Sequence, residues 1–214
     1  MEGRVNAGEP SGAPGRLASG APFGYVDLAR GFLRRRVGAE LVSLRHRSVR
    51  FGPRCDIGRG TTFRVAAGTD VDFGAGCVVD RYGVFECSGG RLSVGARTIF
   101  GHHCTVAAVE ELVIGEDCLV AELVSIRDHD HAFSDPARPI AAQGTSSAPV
   151  HIGAGVWLGA KVTVAKGVTI GPGTVVGANA VVTSDLPAGV VAAGVPARVL
   201  RAREGWSEQR RATN

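Results

Sequence analysis

The chain has 214 residues, 44% of them apolar, and a formal net charge of +4, enough to bury a core as one domain rather than as a small cross-linked scaffold. Its arginines are dispersed, its only lysines are Lys161 and Lys166, and aromatics make up 6%, which argues against nucleic-acid binding by charge clusters or base stacking. Five cysteines (Cys55, Cys77, Cys87, Cys104, Cys118) without a CxxC pair or a secretory signal argue against a disulfide framework, and no apolar run nears the roughly 18 residues of a membrane span, so a reduced, cytoplasmic protein is expected.

Residues 1–22 are rich in Gly, Ala, Pro and Ser and predict disorder. Residues 23–50 follow as an amphipathic helical segment, with Leu33, Val37, Leu41 and Leu44 on one face and arginines elsewhere. Such a helix would cap the open end of the next domain; contact with an anionic membrane surface is the alternative.

From about Phe51 the pattern changes. Ile57 with Gly58 and Phe73 with Gly74 are isolated aliphatic or aromatic plus glycine pairs, and Val94, Phe100 and Val106 then recur every sixth residue, followed by Gly95, Gly101 and Ala107. The register shifts by two and resumes at Ile114, Val120 and Ile126. Over 127–149 the pattern stops. From Ile152 it returns without a fault through Leu158, Val164, Ile170, Val176 and Val182, each followed by a small residue, with Val156, Val162, Val168, Thr174 and Ala180 at a second position of modest size. A period of six fits neither the 3.6 of a helix nor simple strand alternation. It predicts a chain that turns a corner every six residues, its aliphatic side chains stacked inside and glycine or alanine at the corners. Cys77, Cys104 and Cys118 fall on the second inward position and are expected to pack as small apolar groups.

The run Ile152 to Arg201, with VWLG near its start and AAGVPARVL at its close, closely resembles the hexapeptide-repeat acetyltransferases, in the branch of the maltose and galactoside O-acetyltransferases and their relatives in polysaccharide gene clusters. The resemblance implies an all-β solenoid over 51–203: a left-handed parallel β-helix with a short N-terminal helix, an excursion loop over 127–149 and a tail from 204 to 214. It implies a homotrimer with active sites between subunits, acetyl-CoA as acyl donor and no metal. The function expected is O-acetylation of a sugar or glycan hydroxyl, with N-acetylation of an amino sugar as the alternative.

The interruption, RDHDHAFSDPARPIAAQGTSSAP, is where a site is expected, since long patternless loops are disproportionately functional. In the family a histidine here acts as general base, and His129 matches that position. A neutral imidazole takes the proton of an attacking hydroxyl, and a carboxylate on the other ring nitrogen fixes the tautomer. His131 is the rival base; Asp128, Asp130, Glu110 and Glu111 are the candidate carboxylates. His103, Glu111 and Asp135 are candidates for acceptor contacts. For coenzyme A the resemblance implies Ala160 and Ala178 along the pantetheine, Thr183 and Ser184 further down, and Arg198 and Arg201 near the adenosine phosphates, where a guanidinium suits the geometry. In the family a lysine often stands where this chain has Ser184. Trp157 either packs near the thioester or is structural. A zinc-dependent carbonic anhydrase-like coil is a further alternative, but His102, His103, His129 and His131 lack its HxxxxH spacing.

Overall fold

The computed structural model describes residue 39, residues 42–44 and residues 47–206. The segments 1–22 and 207–214, and most of the helical segment expected over 23–50, lie outside the described residues.

Helical backbone is present at Ala39 and Val42–Leu44. Ala39 is buried in the core and Val42 packs against it, whereas Leu44, expected on the same apolar face, is 79% exposed. The coil then starts at Val49. Its first turn is β1 (Val49–Phe51), β2 (Asp56–Ile57) and β3 (Thr62–Val65), and its second β4 (Asp70–Phe73), β5 (Val78–Val79) and β6 (Val84–Cys87). The third comprises β7 (Arg91–Val94), β8 (Ile99–Phe100) and β9 (Thr105–Ala108), and the fourth β10 (Glu111–Ile114), β11 (Leu119–Val120) and β12 (Ser125–Arg127). The excursion carries β13 (His129–His131), a 3-10 turn at Ile140–Ala142 and β14 (Thr145–Ser147). Regular coiling resumes with β15 (Val150–Ile152), β16 (Trp157–Leu158) and β17 (Thr163–Val164), then β18 (Thr169–Ile170), β19 (Val175–Val176) and β20 (Val181–Val182), and closes with β21 (Val190–Ala193) and β22 (Arg198–Ala202).

Every third strand pairs in parallel, giving three faces: β1-β4-β7-β10-β15-β18, β2-β5-β8-β11-β16-β19-β21-β22 and β3-β6-β9-β12-β17-β20. The antiparallel pairs are β21 with β22 and the hairpin β13 with β14. Past the excursion His151 pairs with Thr169, Trp157 with Val175 and Thr163 with Val181: three hexapeptides make one full turn. Upstream, Val49 pairs with Val71 and Val71 with Leu92. These turns are longer because the third face has four-residue strands and a wider corner before the first face, which is why the sixfold register is imperfect there and shifts between Val106 and Ile114.

All the aliphatics predicted to point inward are buried, from Ile152 to Val182 and from Val94 to Ile126. Burial of each is worth about 1.5–3 kcal/mol, and each finds that environment only against the coil above and below. The wider N-terminal turns are filled by aromatic rings: Phe51, Phe63, Phe73, Phe85 and Phe100 form a chain of contacts with centroids 5.0–6.0 Å apart.

The second inward position does more than fill space. Cys55 Sγ donates to the carbonyl of Gly74 (3.1 Å), Cys77 Sγ to Gly95 (3.1 Å), Thr98 Oγ1 to Gly115 (2.8 Å), Cys118 Sγ to Gly153 (3.2 Å) and Thr174 Oγ1 to Pro187 (2.7 Å). A thiol or hydroxyl in one turn thus satisfies a corner carbonyl of the next. The corners themselves exclude side chains: a Cβ on Gly95 would lie 2.3 Å from the backbone nitrogen of Glu116.

The C-terminal segment folds back on the coil. The Trp206 ring lies where a Cβ on Gly173 or Gly189 would be, with contacts of 1.9 and 1.8 Å, and Arg203 Nη1 donates to the Gly173 carbonyl at 2.8 Å.

Candidate active site

The end of β12 sets the site. Ile126 points inward, Arg127 outward and Asp128 inward again, as strand alternation requires. Asp128 stands over the point where the turn below passes from β9 to β10, and the small Ala107 and Ala108, both buried, leave room for it. Its carboxylate is fully buried, a position that costs heavily unless the charge is bonded. It is bonded on both oxygens: the Val109 N–H lies 2.8 Å from Oδ1 and 3.0 Å from Oδ2, and the Glu110 N–H donates to Oδ2 at 2.7 Å.

His129 opens the hairpin with its Nδ1 3.0 Å from Asp128 Oδ1. A carboxylate only accepts, so Nδ1 carries a proton, and in the neutral imidazole Nε2 keeps its lone pair. The side chain of His129 is 20% exposed, so the ring is held from inside the coil while one edge meets solvent. A backbone bond from Ala148 N–H to the Asp128 carbonyl (2.8 Å) closes the neck of the hairpin beneath it. Of the four candidate carboxylates, Asp128 is the one on the ring. Asp130 points to Lys166 at 3.7 Å, Glu110 contributes its backbone N–H, and Glu111 sits on the first face between Arg91 (2.8 Å) and His151 (3.2 Å). The hydrogen bond from His151 holds the Glu111 carboxyl below the usual range, with Arg91 assisting.

The other sequence candidates are distributed over the prism. His131 is exposed two residues along the same strand and lines a small depression of about 250 Å³ with Ala132, Phe133, Ser134, Ser146 and Lys166. Asp135 shapes the loop: its Oδ1 accepts from Ala137 N–H at 2.9 Å and its own N–H donates to Gln143 Oε1 at 3.0 Å. His103 occupies a left-handed corner (φ 58°) between the second and third faces, its Nδ1 3.0 Å from that of His102 and its ring 5.0 Å from that of Tyr82.

Ala160 and Ala178 share that same column of corners, where the Asn179 N–H donates to the Ala160 carbonyl at 2.9 Å. Thr183 and Ser184 are exposed beyond β20, near the corner from which the hairpin leaves. Arg198 and Arg201 are exposed on β22, and Trp157 is 48% exposed on the outside of the second face. His129 and the alanines Ala160 and Ala178 therefore occupy neighbouring edges of one prism rather than one pocket, whereas Thr183 and Ser184 lie on the same edge as the hairpin. Among the described residues no three of His, Cys, Asp and Glu are grouped as a metal site, so the zinc reading has no ligand set there. No helix among the described residues is long and apolar enough to cross a membrane.

Sequence reasoning missed the two backbone donors that clamp Asp128, because they come from a different turn. It also passed over Lys166, which stands where the following repeats have Pro172, Ala178 and Ser184.

Residues 149–184 match the family described as bacterial transferase hexapeptide (six repeats). The chain is 37% identical over 115 residues to a Mycobacterium tuberculosis protein named as an acetyltransferase, Rv3034c, covering 54% of this chain and 38% of that one. It is 36% identical over 103 residues to WbbJ of Escherichia coli K12, named as an O-acetyl transferase of lipopolysaccharide biosynthesis, covering 45% and 53%. The chain thus spans about half the length of these relatives or less. Among solved structures, an AntD variant, an N-acyltransferase of Bacillus cereus in complex with dTDP-4-amino-4,6-dideoxyglucose and coenzyme A, superposes with a TM-score of 0.63 at 19% identity, covering 77% of this chain and 89% of that one. Residues 149–184 therefore match the hexapeptide repeat of the bacterial transferases, and the three parallel faces carry the same coil back to Val49.

Proposed function

We propose that this chain is an acetyl-CoA-dependent O-acetyltransferase acting on a hydroxyl of a sugar or glycan precursor, with His129 as general base. The observation that carries this reading is the buried Asp128 carboxylate, bonded to two backbone N–H groups and to His129 Nδ1, which leaves Nε2 as the lone-pair nitrogen of the neutral ring on a side chain that is 20% exposed. In the proposed reaction the acceptor oxygen attacks the thioester carbonyl while Nε2 takes its proton. The tetrahedral intermediate collapses by breaking the C–S bond, and the imidazolium returns the proton to the leaving coenzyme A sulfur. Asp128 stabilises the transient imidazolium, and a base of this kind contributes about 10²–10⁴ in rate. The same parts would serve an amino group as acceptor, as in the N-acyltransferase of similar fold.

We assign the donor to the corner column of Ala160 and Ala178, where small side chains leave backbone groups open to the pantetheine amides. Thr183 and Ser184 lie on the adjacent edge, beyond β20, and Arg198 and Arg201 are available to phosphate. Trp157 belongs to a ladder on the second face in which Val78, Ile99, Leu119, Trp157, Val175 and Val191 stand in register, Ile99, Leu119 and Trp157 each being more than two fifths exposed. An apolar stripe of this length supports assembly into a homotrimer, which would bring the donor edge of one subunit to the hairpin edge of the next. We place the reaction in the cytoplasm, where acetyl-CoA is available.

The test is calorimetric titration of the full chain with coenzyme A, followed by a screen of methyl glycosides with acetyl-CoA. Binding near one site per chain, with transfer lost in His129→Ala at unchanged coenzyme A affinity, is the expected result. No binding by the folded chain would overturn the proposal, and loss of transfer in His131→Ala alone would move the base to His131.

A further inference from the structure

The hairpin that carries His129 is an excursion from a regular coil, and two strands of three residues do not by themselves form a rigid support. From the turn below, Asp128 is fixed by the backbone of Val109 and Glu110. From the turn above, the contacts come from a single corner. Lys166 Nζ donates to the Ser146 carbonyl on β14 at 3.1 Å and lies 3.7 Å from Asp130 Oδ2 on β13, and the Gly167 N–H donates to the Ala148 carbonyl at 3.0 Å. One ammonium therefore touches both strands, at the pair where Asp130 faces Ser146, beside the pair of His129 with Ser147. The side chain of Lys166 is 27% exposed, so its stem lies against the protein while the head bridges the strands. The corner positions aligned with it elsewhere are small or polar, and the chain has only one other lysine.

We infer that Lys166 is a positioning residue: it pins both strands of the hairpin to the following turn and thereby holds Nδ1 of the His129 ring on Asp128. This rests on the reading of His129 as the base. Lys166 itself takes no part in proton transfer. With the ammonium removed, the backbone bond from Gly167 remains at the neck, but among the described residues no other hydrogen bond or ion pair ties β13 to the turn above, and the ring gains freedom to leave Asp128. A displacement of about 1 Å at a reacting group is enough to cost up to a hundredfold in rate.

The experiment uses the full chain labelled with 15N-histidine, in the wild type and in Lys166→Met, Lys166→Arg and Asp130→Asn. The wild-type His129 ring is expected in the Nδ1–H form, its two nitrogens giving well separated signals. Lys166→Met should draw these signals together as the tautomers average, and should lower kcat about tenfold at unchanged KM for acetyl-CoA; Lys166→Arg, which can still reach the carbonyl and carboxylate, should recover most of both. Asp130→Asn should give a smaller change in the same direction, and decides the matter if Lys166→Met does not fold. A Lys166→Met protein with the wild-type His129 spectrum and rate overturns the proposal. So does a parallel loss of coenzyme A affinity, which would make Lys166 a donor contact. A shifted His129 spectrum in a protein whose transfer survives His129→Ala would leave the positioning role standing and remove the base.

Discussion

Replacing Asp128 with asparagine changes one atom and should separate the structural from the chemical role of this carboxylate. In the native site Oδ2 accepts from both Glu110 N–H (2.7 Å) and Val109 N–H (3.0 Å), while Oδ1 receives Val109 N–H and faces His129 Nδ1 at 3.0 Å. The two backbone donors belong to the turn below and cannot reverse, so the amide oxygen must take the place of Oδ2. The amide NH₂ then occupies the place of Oδ1 and donates to His129 Nδ1, which must lose its proton. The ring is thereby forced into the Nε2–H tautomer, with no lone pair for the acceptor hydroxyl. The expected loss in transfer rate is about 10²–10⁴, the full value of a general base. Stability should fall by only about 1–2 kcal/mol, since one oxygen still serves the backbone. Asp128→Ala removes both acceptors and strands the two N–H groups that bond them, each costing about 1–3 kcal/mol, so about 2–6 kcal/mol is expected. Urea midpoints give the stability and coenzyme A release in the presence of an acceptor gives the rate. Asp128→Asn at the wild-type rate would refute the tautomer argument, and Asp128→Ala as stable as Asp128→Asn would refute the clamp.

Gly95→Ala should destabilise the coil by about 3 kcal/mol or more, because the new Cβ meets backbone of the next turn at 2.3 and 2.5 Å rather than a movable side chain; thermal unfolding would show it. All five thiols are buried, and burial pushes Cys104 up to about 11 and raises Cys87 and Cys118, so Ellman's reagent at pH 8 should find five slow thiols in the folded protein and five fast ones in urea. On the surface Arg97 bonds both oxygens of Asp117 at 2.6 Å and also reaches Glu116, and its hydrogen bond holds the Asp117 carboxyl below the usual range. A depressed carboxyl stabilises the fold above its unfolded value of about 4 and ceases to as pH falls through the folded value. Arg97→Met should therefore lower the urea midpoint slightly at pH 7, where solvent already screens the pair, and the difference should shrink as pH falls through the depressed Asp117 value.

The coil was legible in the sequence because its determinant is local and repeated. An aliphatic every sixth residue, with a small residue after it, can be satisfied only by a chain that bends at that interval, and each of Ile152, Leu158, Val164, Ile170, Val176 and Val182 is buried accordingly. The interruption over 127–149 was legible for the same reason, as a fault in a regular series, and within it His129 stood out by family position. The imperfect register upstream was visible, but not its cause: four-residue strands and wide corners are chosen by how Phe63, Phe73 and Phe85 stack across turns.

The amino-acid sequence alone thus determined the coil, its period, its inward set and the place where the series is interrupted. Only the tertiary structure decided which carboxylate orients His129, because Asp128, Asp130, Glu110 and Glu111 are equivalent as residue types and differ only in what the neighbouring turns offer them. Asp128 is chosen by two backbone N–H groups 18 and 19 positions earlier in the chain, and Lys166 meets Ser146 from 20 positions later. In a coil, contacts between turns are separated in sequence by a whole turn and carry no local signature, so they appear only once the turns are stacked.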